Sequence, residues 1–124
     1  MNKIIICLFS LLCFIGCSKV EPPQVNNDEY YVKYVFTYLK YSTYNTQYFL
    51  TFTNSYKDIE ERTYTGSGEE EIVCGPFKYE DKIQASWTSN SSLPRATLEL
   101  YVSKNNLPFT LRKSGNIIEY TIDF

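Results

Sequence analysis

An all-β domain, an antiparallel sandwich of about seven or eight short strands, is the architecture this sequence predicts. Three observations carry it. From Glu29 onward tyrosine, phenylalanine, valine, isoleucine and threonine dominate, side chains that suit a pleated, half-buried surface. Apolar and polar positions alternate with the two-residue period of strands, and no helical period appears. Clusters of Gly, Asn, Ser and Pro break the alternation at regular intervals, the spacing of a sandwich. A small β-barrel is the alternative arrangement of the same strands.

Residues 30–39 form the first expected strand, with Val32, Tyr34 and Phe36 on one face and Lys33, Val35 and Thr37 on the other. A loop over 40–45 leads to a strand at 46–53, where Tyr48, Leu50 and Phe52 alternate. Residues 54–57 turn the chain into a polar strand over 58–65. Gly66-Ser67-Gly68 then supplies positive-φ residues for a tight hairpin into a strand at 69–77. That strand ends at Gly75-Pro76, and a proline there requires a bulge or a sheet edge. Ile83, Ala85 and Trp87 mark one face of the next strand. Its mid-chain tryptophan is expected in the core, like the buried tryptophan of immunoglobulin domains. Residues 95–104 alternate most regularly, with Ala96, Leu98, Leu100 and Val102 inward and Thr97, Glu99 and Tyr101 outward. A strand at 108–112 and a last one at 117–124, burying Ile118, Tyr120, Ile122 and Phe124, complete the set.

The N-terminus is of another kind. Asn2 and Lys3 precede a block from Ile4 to Ile15 that carries no charge. About a dozen apolar residues suit the core of a secretory signal and fall short of the roughly 20 that cross a bilayer. Small Gly16 before Cys17 suits a cleavage site. A signal peptide with a coincidental cysteine and an uncleaved membrane helix are the other readings. Phe14-Ile15-Gly16-Cys17 resembles the lipobox of bacterial lipoproteins, with Phe14 in place of the commoner leucine. The resemblance implies cleavage after residue 16 and acylation, palmitate included, of Cys17; two or more chains give stable membrane residence. Ser18 after the cysteine points to the outer membrane rather than inner-membrane retention. Lys19 and Glu21 resemble the export tag of some surface lipoproteins, and both the periplasmic and the surface face stay open.

The chain thus divides into a signal peptide at 1–16, a lipidated cysteine with a tether at 17–28, and a sandwich domain at 29–124. Pro22-Pro23 and the polar residues around them favour extended geometry, with a reach of roughly 30 Å at ~3.1 Å per residue. Losing Lys3 with the signal leaves 11 of the 12 basic side chains against 14 acidic ones, a net charge of −3. Nucleic acid would call for a basic face, so it is excluded as a partner. The four cysteines look like a disulfide set, but Cys7 and Cys13 leave with the signal and Cys17 is acylated. Cys74 remains alone, a small hydrophobe inside Ile72-Val73-Cys74.

The sequence contains no histidine. Ser-His-Asp and Cys-His catalysis and histidine-containing zinc sites go with it. An enzyme is therefore not expected, nor is a cofactor or a bound metal. Asp58, Glu60, Glu61, Glu69, Glu70 and Glu71 flank the Gly66 turn but match no calcium-loop spacing, and read as charged edges that block aggregation.

Val32-Lys33-Tyr34, Gly75-Pro76-Phe77-Lys78 and the run from Leu98 to Lys104 resemble small Bacteroidetes lipoproteins of immunoglobulin-like sandwich fold. They are more remotely similar to the periplasmic domain of mycobacterial small membrane proteins. The resemblance implies fold and location more than activity. Tyrosines crowd the first third of the domain, and most suit core positions. Tyr41 and Tyr44 in the first loop, and outward-facing Tyr101, are the best-placed contacts for a ligand. The sequence is thus expected to encode a lipid-anchored envelope protein, a non-enzymatic binding or accessory module with a glycan, lipid or envelope protein as partner. A structural or assembly subunit at the cell surface is the first alternative, and an enzyme the least favoured one.

Overall fold

The computed structural model describes residues 26–40 and 45–124. Eight strands run in chain order: β1 (Tyr30–Leu39), β2 (Gln47–Thr53), β3 (Ile59–Thr65), β4 (Gly68–Phe77), β5 (Lys82–Ser89), β6 (Arg95–Lys104), β7 (Thr110–Ser114) and β8 (Ile117–Thr121). They form two antiparallel four-stranded sheets, β4-β1-β6-β7 and β3-β2-β5-β8, neither closed on itself. The architecture is a β-sandwich, not a barrel.

In the immunoglobulin sandwich strands A, B, E and D form one sheet and C, F and G the other. Here β1 pairs with β4, β2 with β5 and β5 with β8, as B pairs with E, C with F and F with G. Strand β6 lies beside β1 in the place of strand A, and β7 extends the sheet. Trp87 therefore sits on the counterpart of strand F, not of strand C, which carries the tryptophan of immunoglobulin domains.

Alternation produces the core directly. Tyr30, Val32, Tyr34 and Phe36 of β1 are fully buried, as are Tyr48, Leu50 and Phe52 of β2, and Leu98, Leu100, Ile118 and Ile122 complete the layer. Each such side chain contributes about 1.5–3 kcal/mol by leaving water. Aromatic rings fill the half of the interior nearest the ends of β1 and the start of β2. Phe36 and Tyr38 stack at 5.5 Å, Tyr38 and Tyr64 at 5.3 Å, and Tyr48 meets Trp87 edge-on at 5.9 Å. Trp87, Tyr120 and Phe124 are only partly buried against this core. Trp87 lies near the end of β5, Tyr120 on the edge strand β8 and Phe124 beyond it, where the facing layer covers less of a large ring.

The connection at Gly66 corrects the expected hairpin. Strands β3 and β4 belong to different sheets, so the chain crosses the sandwich there instead of folding back on itself. Gly66 has φ 85°, but Gly68 is not in the left-handed region. Gly68 serves by its lack of a side chain: a Cβ would lie 2.8 Å from the Tyr38 hydroxyl oxygen. The crossing also divides the acidic residues. Glu60 and Glu70 fall in register with inward-facing Phe52 and Phe36, whereas Glu69 and Glu71 fall in register with outward Thr37 and Val35. Arg62 Nε donates to Glu60 at 2.8 Å and its guanidinium lies 5.2 Å from the Phe52 ring. Inward-pointing charges at an edge discourage strand addition.

Gly75-Pro76 meets both expectations for a proline in a strand. Strand β4 is an edge of its sheet, and its register against β1 shifts between Tyr30 and Val32. The seventh strand begins at Thr110, later than Pro108, because proline offers no amide hydrogen to the ladder.

Candidate functional site

Strand alternation turns Lys33, Val35 and Thr37 away from the core, onto the outer face of the β4-β1-β6-β7 sheet. Register then fixes what stands beside them. Lys33 is opposite Val73 on one side and Tyr101 on the other, and Tyr101 is opposite Leu111, so these four cross the sheet in one row. Glu71, Val35 and Glu99 form the next row, and Glu69, Thr37 and Thr97 the one beyond.

A cation held between rings lies in the first row. Lys33 Nζ stands 5.1 Å from the Tyr101 ring centre and 4.9 Å from that of Phe109, within cation–π range of both. The Tyr101 hydroxyl donates to Glu99 Oε2 at 3.2 Å. Burial raises the Tyr101 phenol above its usual range, and its hydrogen bond to Glu99 and the charges of Glu99, Glu69 and Glu71 act in the same direction. Val35 is only 7% exposed although it points outward, and Val73 and Leu111 are each about half exposed. The result is a ridge of aromatic and aliphatic surface with one ammonium inside it and carboxylates along one flank. It offers stacking, apolar contact and charge, the ingredients of recognition.

The site residues expected from the sequence divide. Tyr101 is half-buried on the outer face, as alternation requires. Tyr41 and Tyr44 lie outside the described residues, in the connection between Lys40 and Asn45. Cys17 and the expected signal peptide at 1–16 also lie outside them. Lys33, Phe109 and Leu111 were not marked by the sequence as site residues. Lys33 and Phe109 are far apart in the chain, and only the β1–β6 register and the β6–β7 return bring them together.

Cys74 is buried, and burial raises its thiol above the usual range. A neutral, enclosed thiol is a poor nucleophile, in keeping with a small hydrophobe. Among the described residues no group of three or more Cys, Asp or Glu could hold a metal ion. A small depression lies on the outer face of the other sheet, around Thr51, Ser86 and Ile117. Thr51 Oγ1 and Ser86 Oγ hydrogen-bond to each other at 2.8 Å, which occupies the polar groups on its floor. No family model, curated protein or solved structure matches the chain.

Proposed function

We propose that this chain is a lipid-anchored protein of the bacterial envelope, held at the outer membrane through acylated Cys17, and that its sandwich is a non-enzymatic binding or accessory module. The lipobox-like Phe14-Ile15-Gly16-Cys17 supports the anchor. The binding role rests on one observation, the Tyr101–Lys33–Phe109 arrangement on an outer sheet face. A sheet face that served only to meet water would not gather rings, half-exposed Val73 and Leu111, and a lysine in one row. Its partner is a glycan, a lipid or another envelope protein, met through ring faces and a positive charge.

An assembly subunit is the second reading, and it requires an edge that accepts a partner strand. Inward-facing Glu60, Arg62 and Glu70 work against this at β3 and β4. The binding role is tested by titrating the acylated full chain in vesicles with purified envelope polysaccharide and glycolipid. A Tyr101→Ala chain is carried in parallel. Saturable binding lost in the variant supports the reading; binding indifferent to Tyr101 removes the outer face as the site.

A further inference from the structure

The described chain begins at Asn26 and enters β1 at Tyr30, and three turns surround that entry. They join β2 to β3, β4 to β5 and β6 to β7. Direct contacts tie the first two turns to each other, the second to the C-terminal residues and the third to the entry. Lys57 Nζ stands 3.1 Å from Asp81, and the Glu80 amide donates to the Ile122 carbonyl at 2.8 Å. The Asn105 amide donates to the Glu29 carbonyl at 2.8 Å, and its side chain donates to Asp28 at 2.7 Å.

Each turn holds a large side chain out into solvent: Tyr56 is 86% exposed, Tyr79 42% and Leu107 61%. Among the described residues, all four non-glycine positions with positive φ, namely Lys57, Glu80, Asn105 and Asn106, fall in these same turns. Such tight turns cost energy and leave their neighbours standing clear of the sheets. Isolated exposed apolar residues are ordinary on any surface. Three at adjacent turn tips, at the end where the tether arrives, are a patch with a direction.

We propose that this end seats on the surface of a lipid bilayer, with Tyr56, Tyr79 and Leu107 entering the interfacial layer. The inference rests on the reading of Cys17 as the lipid anchor and deepens it. Tyrosine suits that layer because its ring is apolar and its hydroxyl is not. Lys57 and Lys104 pair with Asp81 and Asp28 at 3.1 and 3.4 Å, and exposed Lys78 and Lys82 beside the tips have stems long enough to carry their ammonium groups to headgroups. Asp28, Glu29, Asp58, Glu80, Asp81 and Asp123 share the same end, so net positive charge does not drive the seating. Insertion of the three tips does. The occupant is a bilayer because Cys17, the acylated residue on that reading, lies only nine residues before Asn26. A tether that reaches roughly 30 Å does not press the domain down by itself. Seating is therefore a property of the turns.

The test uses the acylated full chain reconstituted in phosphatidylcholine vesicles that contain a nitroxide-labelled lipid. An environment-sensitive fluorophore is placed at Tyr56→Cys, at Leu107→Cys, or at Ser92→Cys in the exposed loop of the opposite end; buried Cys74 does not compete. Labels at 56 and 107 shift to the blue and lose fluorescence to the nitroxide lipid, while the label at 92 keeps its emission. Equal quenching at the three positions on acylated, vesicle-bound protein overturns the seating and leaves the anchor standing. A chain without acyl mass that stays off the vesicles overturns both.

Discussion

The phenol of Tyr34 on β1 donates a 2.7 Å hydrogen bond to the carbonyl of Thr53 on β2, buried between the two sheets. It is a polar cross-link between the sheets, as is the Tyr48 phenol of β2, which donates to the Leu39 carbonyl of β1 at 2.6 Å. Tyr34→Phe keeps the ring and its contact with Phe52 at 5.3 Å but strands the carbonyl. Urea unfolding of that variant should show a loss of about 1–3 kcal/mol, the cost of leaving a buried acceptor without its donor. A variant as stable as the parent would mean that the bond contributes nothing to holding the sheets.

The same burial makes the fold sensitive to alkali. Burial drives the Tyr34 phenol well above its usual value near 10, and Tyr38, Tyr64 and Tyr120 move in the same direction, burial being the largest cause for each. The unfolded chain releases these protons near pH 10, whereas the folded chain keeps them. The stability they contribute is thus fully present below pH 10 and falls as the pH climbs toward the folded-state values. Denaturation midpoints should hold steady to about pH 9 and then drop, and Tyr34→Phe should drop less steeply. A parent whose midpoint stays flat to about pH 11 would contradict this.

Gly75 is required twice over. Its φ is 143°, and a Cβ there would lie 2.8 Å from the Tyr30 carbonyl oxygen, which the sheet holds in place. At Gly66 φ is 85° but the space is open. Gly75→Ala should cost about 1–3 kcal/mol, and Gly66→Ala about 1 kcal/mol. The reverse order in thermal melts would show that backbone conformation, not crowding, sets the cost.

Lys33 and Tyr101 should prove energetically coupled. Lys33→Met keeps the stem and removes the charge, and Tyr101→Leu removes the ring. A double-mutant cycle on stability should give a coupling of about 0.5–1 kcal/mol, the cation–π share at a half-exposed site. Strictly additive losses would mean that the ammonium and the ring merely sit near each other.

Much of this fold is legible in the sequence because the core is written in period two. The bounds of β1 and β6 follow from alternation alone, since both run along the middle of a sheet with one face fully buried. Pairing is less legible. Turn residues at Gly66 show that the chain reverses there, but not whether the strands on either side share a sheet. Here they do not, and the acidic residues on both sides face several ways in consequence. Trp87 reads as core from its neighbours Ile83 and Ala85, yet it lies two residues from the end of β5, where the opposite sheet covers only part of its ring. The site was half visible. Tyr101 shows by alternation, while the approach of Phe109 to Lys33 depends on a register shift between Leu100 and Tyr101 that no local pattern encodes.

Anchorage at Cys17 is the claim on which location, partner and orientation all depend. Intact mass of the protein expressed in a related bacterium, with membrane fractionation beside Cys17→Ala, measures it directly. The account predicts a mature chain that starts at Cys17, carries added acyl mass and sediments with membranes, and a variant that is neither cut there nor acylated. A wild-type chain recovered soluble, with no added mass, would contradict it. The sandwich would then be a free secreted domain, with no membrane against which to seat its three exposed turns.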